Sequence, residues 1–74
     1  MVERDKRKKF EELAEKRVNK AIKDLRLIGN LSNRNNYSFN EEDIRKIMKA
    51  LDDEMKALKG RFAQVRPSEN DFKL

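Results

Sequence analysis

The side chains of this chain that can do chemistry are carboxylates, amines, hydroxyls and a single phenol. The 74 residues include no histidine and no cysteine, so the commonest general base, the commonest metal ligand and any thiolate nucleophile are missing. Adjacent carboxylates occur at Glu11-Glu12 and at Asp52-Asp53. Neighbouring residues on a helix point about 100° apart, so neither pair converges on one atom. The sequence predicts a protein that is not an enzyme.

Recognisable ligand-binding motifs are also missing from the sequence. There is no P-loop, no GxGxxG and no zinc spacing. Residues 33–43, NRNNYSFNEED, are rich in oxygen ligands but lack the residue order of an EF-hand loop. We therefore expect no cofactor and no bound metal, and no small-molecule substrate is evident.

Basic residues outnumber acidic ones by 19 to 14, which gives a net charge of +5. Those best placed to contact phosphates lie in an N-terminal basic arm and on a lysine stripe of the first helix: Arg4, Lys6, Arg7, Lys8, Lys9, Lys16, Lys20 and Lys23. Clustered lysine and arginine neutralise a phosphate backbone, so nucleic acid is one candidate partner.

Acidic residues interleaved with the basic ones favour a second interpretation of the charge. Pairs of opposite sign stand four residues apart at Glu42 and Lys46, Lys49 and Asp53, and Asp52 and Lys56. Such spacing is typical of a solvated helix face carrying weak ion pairs. A solvated charge pattern and a phosphate-binding face both stay open.

The segments that direct proteins to membranes have no counterpart in the sequence. The N-terminal residues MVERDKRKKF lack the apolar centre of a signal peptide. No run approaches the ~18 apolar residues of a transmembrane helix. We expect a cytoplasmic, soluble protein that does not associate with membranes.

The first element is predicted to be an amphipathic helix over about residues 4–28. Its apolar residues recur at steps of three and four, as Phe10, Leu13, Ala14, Val18, Ala21, Ile22, Leu25 and Ile28. That spacing places them on one helix face. Gly29 is expected to adopt the left-handed conformation that ends a helix. The polar first turn is expected to fray.

The second helix is predicted to begin at Glu41. Asn40 is a favourable N-cap, and Asp43 occupies the capping-box position that usually holds glutamate. Glu41, Glu42 and Asp43 place negative charge at the positive end of the helix dipole. Phe39 and Ile44 occupy the positions of a hydrophobic staple.

A heptad pattern follows this N-cap. Its members are Ile44, Met48, Leu51, Met55, Leu58, Phe62 and Val65, and Ile47 widens the apolar face. The steps alternate between four and three, as in helices that pack side by side. Pro67 cannot continue the helix, which is therefore expected to end at about residue 65. Residues 67–74 form a polar C-terminal tail.

Two helices of similar length predict an all-α, antiparallel helical hairpin with residues 1–66 as one domain and residues 29–40 as an Asn-rich connector. A chain of this size buries a small core and is only marginally stable alone. A homodimeric four-helix bundle would supply the missing core. The competing arrangement is a closed monomer in which Phe62, Val65 and Phe72 cover the apolar groove.

The connector itself has two interpretations. Leu31, Tyr37 and Phe39 can fold under as an apolar plug at the end of the bundle. Alternatively, the connector presents a contact surface for a partner protein, formed by Asn30, Asn33, Arg34, Asn36 and Tyr37. Glycine and asparagine are common in turns, so the composition fits both interpretations.

The runs RVNKAIKDLRLIGNLSNRNNY and EEDIRKIMKALDDEMKALKGRF resemble small helical-hairpin proteins carried by bacterial plasmids and phages. The resemblance spans about residues 10–62. It is carried by Arg26, Gly29, Asn30, Asn33, Arg34 and Tyr37. It implies a bacterial or mobile-element setting and an accessory or regulatory role, and it transfers no functional residue. Together with the helical pattern, it favours a small module that binds a partner protein.

Overall fold

The computed structural model describes residues 3–64, and within them the chain is all-helical. Helix α1 spans Glu3–Gly29 and helix α2 spans Glu41–Gln64. A short 3-10 turn over Asn30–Ser32 extends α1, and an irregular segment over residues 33–40 leads into α2. The described residues contain no β-strand. The predicted all-α class and the two predicted helices are therefore confirmed.

The chain divides into two units between Ser38 and Phe39, and each is described by itself. Val65 of the heptad pattern, Pro67, the tail over residues 67–74 and its Phe72 lie outside the described residues. The predicted C-terminal boundary of the domain at residue 66 lies there as well.

Helix α1 begins at Glu3, so the basic residues from Arg4 to Lys9 belong to the helix, in agreement with the predicted range of residues 4–28. Glu3 and Asp5 place negative charge in the first turn, where the helix dipole is positive. Arg7 donates to the Glu11 carboxylate at 3.1 Å, one turn further along. The Arg7 guanidinium also lies 5.7 Å from the centre of the Phe10 ring, within range of a cation–π interaction.

The prediction for Gly29 was wrong. Its φ of −60° and ψ of −30° are right-handed helical values, so Gly29 continues α1. The helix then tightens into the 3-10 turn and stops at Asn33, whose backbone is extended at φ −75° and ψ 100°. Tightening by one residue per hydrogen bond is a common way for an α-helix to end without a left-handed residue.

The helical conformation of Gly29 predicts whether Gly29→Ala raises or lowers the stability of the chain. An added Cβ would meet no atom within 4 Å, and alanine is favoured over glycine in a helix by about 1 kcal/mol. We expect the variant to be more stable, whereas a left-handed glycine would make it less stable. Circular dichroism during denaturation at fixed protein concentration measures the sign. Gly60→Ala is the matched control, since Gly60 lies inside α2 with equally open space around it.

Helix α2 begins with the predicted capping box. The Asn40 side-chain Oδ1 accepts from the Asp43 backbone N–H at 2.8 Å, and the Asp43 carboxylate accepts from the Asn40 N–H at 3.0 Å. The Asn40 carbonyl accepts the first helical bond from Ile44 at 3.3 Å. Aspartate thus completes the reciprocal pair despite its short side chain. The start of α2 at Glu41 is confirmed.

The apolar residues of α2 form one continuous face along the helix, which we call the α2 stripe. Its members are Ile44, Ile47, Met48, Leu51, Met55, Leu58 and Phe62. Leu51 is half-buried and the other members are exposed, by 39% at Ile47 and up to 55% at Phe62. None of the described residues is buried. The heptad spacing therefore gives α2 an apolar face along nearly its whole length.

Candidate functional site

Asn33 organises the turn between the helices, which we call the corner turn (residues 33–37). Its side-chain Oδ1 accepts from the Asn35 backbone N–H at 2.9 Å. Its backbone carbonyl accepts from the N–H groups of Asn36 at 3.1 Å and Tyr37 at 3.0 Å. Asn33 was predicted as a contact residue, and the structure gives it a structural role in the turn. In the sequence, this role is indicated by an asparagine in a turn-forming segment, because its side chain can accept a hydrogen bond from the backbone N–H two residues later.

The other predicted contact residues lie on or beside this turn. Asn30 sits in the 3-10 turn, while Arg34, Asn36 and Tyr37 belong to the corner turn, and all four are exposed. Tyr37 is 49% exposed. The corner turn therefore brings an arginine, an amide and an aromatic ring together on a short segment held by three backbone-directed hydrogen bonds. Arginine and tyrosine are enriched among residues that dominate protein interfaces.

The predicted apolar plug involves the same segment. Leu31 and Tyr37 are about half exposed, and Phe39 is half-buried. Phe39 precedes the Asn40 cap, where a staple with Ile44 is predicted. The plug and the contact surface both stay predictions, and they differ in whether the Tyr37 ring packs inward or touches a partner.

A second candidate surface is the lysine stripe of α1, formed by Lys9, Lys16, Lys20 and Lys23. The helix register of α1 places Lys9 in line with the other three lysines, on the side of the helix away from most of its apolar residues, although Leu27 lies on the same line. The stripe spans about 20 Å at 1.5 Å per residue. All four lysines are exposed.

Only some of the predicted phosphate-binding residues form ion pairs. Lys20 binds Asp24 at 3.1 Å and Arg7 binds Glu11 at 3.1 Å. The other predicted phosphate-binding residues have no ion-pair partner within residues 3–64: Arg4, Lys6, Lys8, Lys9, Lys16 and Lys23. Their ammonium and guanidinium groups are therefore available to an anionic ligand.

On α2 the predicted pairing is confirmed in one case and wrong in another. Lys49 binds Asp53 at 3.2 Å as expected. Glu42 accepts from Arg45 at 2.9 Å, three residues on, instead of from Lys46. The predicted pair between Asp52 and Lys56 is not formed within the part of the chain that the structure describes. All the observed pairs are exposed, and such pairs contribute at most a few tenths of a kcal/mol each.

No group of three or more metal-binding side chains comes together between residues 3 and 64. Neither α1 nor α2 has an apolar stretch long enough to cross a bilayer. The surfaces that the described residues offer for function are thus the corner turn, the lysine stripe and the α2 stripe.

Comparisons with protein-family models, with curated proteins and with solved structures gave no match. The corner turn, the lysine stripe and the α2 stripe are therefore the features from which a function can be proposed.

Proposed function

We propose that this chain is a non-enzymatic interaction module that binds a partner protein. In this proposal α1 and α2 fold back on each other as an antiparallel hairpin, and two hairpins join in a homodimeric four-helix bundle. The observation that carries the proposal is the α2 stripe, which runs from Ile44 to Phe62 with none of its residues fully buried. A helix with such a face is stabilised mainly by packing that face against another element.

The size of the effect explains why association is favoured. Complete burial of a side chain such as leucine or methionine stabilises by about 1.5–3 kcal/mol. Members of the α2 stripe such as Met48, Met55 and Phe62 keep about half of their surface exposed. Each therefore has roughly 1 kcal/mol still to gain from packing. Few other interactions among residues 3–64 are as strong, because the ion pairs formed there are all exposed.

The corner turn is the recognition surface in this proposal. A partner gains more affinity from a segment that is already ordered, because less conformational entropy is lost on binding. The hydrogen bonds to Asn33 order the backbone that carries Arg34, Asn36 and Tyr37. The setting we propose is bacterial, on a plasmid or phage, where a small module of this kind acts as an accessory or regulatory protein.

The experiment that tests partner binding is retention from a bacterial lysate on the immobilised full chain, with and without nuclease treatment. The proposal is supported if a specific protein is still retained after nuclease treatment and is released when soluble chain is added as a competitor. Retention that disappears after nuclease treatment contradicts it and points to nucleic acid as the ligand.

Nucleic-acid binding is the second candidate function, and the lysine stripe is the observation that favours it. Changing Lys16 and Lys23 to glutamine removes two exposed charges without touching an apolar residue. If the stripe contacts phosphates, each lost contact lowers the slope of log affinity against log salt by about one. We expect the double variant to bind random duplex DNA with a salt slope reduced by about two.

The matched control for this measurement is Lys49→Gln with Lys56→Gln, which removes the same charge from α2. Fluorescence anisotropy over a salt series measures both variants. Equal slopes for the parent and the α1 double variant would show that the lysine stripe is only a solvated face.

A further inference from the structure

The α2 stripe is flanked by charges whose signs change along the helix. On one edge the flanking residues are Arg45, Asp52 and Lys59, and on the other they are Ile47, Glu54 and Arg61. Members of one edge recur every seven residues, so each edge runs parallel to the stripe. The flanks are therefore basic near the start of α2, acidic in the middle and basic near the end.

Most of these flanking charges lack a partner within their own helix. Arg45 binds Glu42, and on the far side of α2 Lys49 binds Asp53. The remaining flanking charges form no ion pair within residues 3–64: Asp52, Glu54, Lys59 and Arg61. They are all exposed. Charges beside an apolar seam select the partner and the orientation of a helix that packs on it.

If a second copy of α2 runs parallel and in register, two of these charges form an ion pair across the interface, and the symmetry of the dimer repeats that pair. In a parallel pair of heptad helices, a residue on the edge that carries Glu54 lies opposite the residue five positions later, which is on the other edge of the second helix. Glu54 of one copy therefore faces Lys59 of the second copy, and the reverse pair forms by symmetry. Along the middle of the stripe, Ile44, Met48, Leu51, Met55, Leu58 and Phe62 of one copy each meet their own equivalent, while Ile47 lies opposite Asp52.

The antiparallel alternative with the same overlap brings like charges together. Aligning Leu51 with Met55 of the second copy places each Asp52 against the other and each Glu54 against the other. Shifting the antiparallel pair by about one heptad places opposite charges together instead. That shift, however, leaves Ile44, Ile47 and Met48 without cover from the described part of the second α2.

Two features of α2 oppose the parallel pair. Ile47 lies opposite Asp52 of the second copy, which places an apolar side chain beside a carboxylate at the edge of the interface. Glu41 lies on the line of the stripe one turn before Ile44, so two copies place like charges together there. Glu41 is the first residue of α2 and is exposed, and water and salt screen such a contact. Its effect is smaller than that of repulsion at the middle of the helix.

We infer that the α2 stripe is covered by the α2 stripe of a second copy, parallel and in register, with Glu54 paired to Lys59 across the interface. This inference rests on the proposed dimer and adds its orientation. The two-fold axis then runs along the helices. Both chains enter α2 from the same end of the assembly, so the two corner turns are brought together as a bivalent surface.

Charge reversal tests the pairing on the full chain. Glu54→Lys and Lys59→Glu each turn two attractive contacts into repulsive ones, so each is expected to weaken dimerisation about tenfold. The double variant restores opposite signs and is expected to return to the parent affinity. Sedimentation equilibrium measures the dissociation constants, and circular dichroism verifies that the helix content is unchanged.

Each result of the charge reversal separates the arrangements. In the shifted antiparallel pair, Glu54 faces Arg61 and Lys59 faces Asp52, so the double variant would be weaker than either single variant. That result, or single variants that dimerise like the parent, would overturn the parallel pairing while leaving the dimer intact. A parent chain that stays monomeric at every concentration would overturn the proposed dimer itself.

Spin labels give an independent measurement, because the chain has no native cysteine. Lys46→Cys and Gln64→Cys place labels near the two ends of α2, away from the stripe. In a parallel pair both positions give short label-to-label distances of roughly 20 Å, about two helix diameters. In either antiparallel pair at least one of the two positions gives a distance longer by 10 Å or more, at 1.5 Å per residue, which would overturn the inference.

Discussion

Leu51→Asp is expected to dissociate the protein into monomers with less than half of the parent helix content. Leu51 is the half-buried residue at the middle of the α2 stripe. Placing a carboxylate there removes the apolar surface and leaves a charge that no neighbouring group neutralises if the stripe is packed. The expected loss is about 3–5 kcal/mol, which exceeds what a chain of this size can tolerate. Sedimentation and circular dichroism at the same concentration measure both effects.

The matched control is Ala57→Asp, which adds the same charge to the same helix. Ala57 lies off the α2 stripe and is exposed, so the change costs only the difference in helix propensity, about 0.5 kcal/mol. We expect the control to keep the sedimentation behaviour and helix content of the parent. If Leu51→Asp behaves like Ala57→Asp, the α2 stripe is not packed in solution and the proposed bundle is wrong.

The features that the sequence predicted well depend on residues close together in the chain. The start of α2 required only that Asn40 and Asp43 stand three residues apart, a spacing that closes both hydrogen bonds of the capping box. The two helices followed from periodicities that a single helix displays by itself. Short-range physics determines these elements, so the sequence is enough to identify them.

The errors came from choices between conformations of nearly equal energy. Gly29 can end a helix or continue it, and the choice depends on whether residues 30–32 tighten into a 3-10 turn. Glu42 can reach a cation three or four residues away, and it binds Arg45 rather than Lys46. A rule based on spacing cannot separate alternatives that differ by a few tenths of a kcal/mol.

The candidate sites show the same division. Lys16, Lys20 and Lys23 were recognised as one stripe from the sequence, and the helix register of α1 adds Lys9 to the same line. Asn33 was chosen for its polarity, and its role in the corner turn depends on the backbone that its carbonyl and side chain bind. Residue type therefore located the surfaces, while backbone geometry assigned the roles within them.

Changing Arg34 and Tyr37 together to alanine is expected to weaken partner binding by 100-fold or more while the helix content stays constant. Both side chains are exposed on the corner turn, and truncating an arginine or tyrosine at the centre of an interface typically costs about 2 kcal/mol or more. The backbone of the turn is held by Asn33, which the variant leaves in place. The measurement compares the proteins that the parent and the variant still retain from a lysate after nuclease treatment.

Asn35→Ala is the control for this variant, since Asn35 lies in the same turn and, among the described residues, bonds through its backbone N–H and not its side chain. We expect it to retain the same proteins as the parent. Undiminished retention by the double variant would exclude the corner turn as the recognition surface. Loss of both helix content and retention would instead show that Tyr37 serves as an apolar plug. A ring packed inside the bundle contributes to folding, whereas a ring that faces a partner does not. The two interpretations of the connector therefore lead to opposite results in a single spectrum.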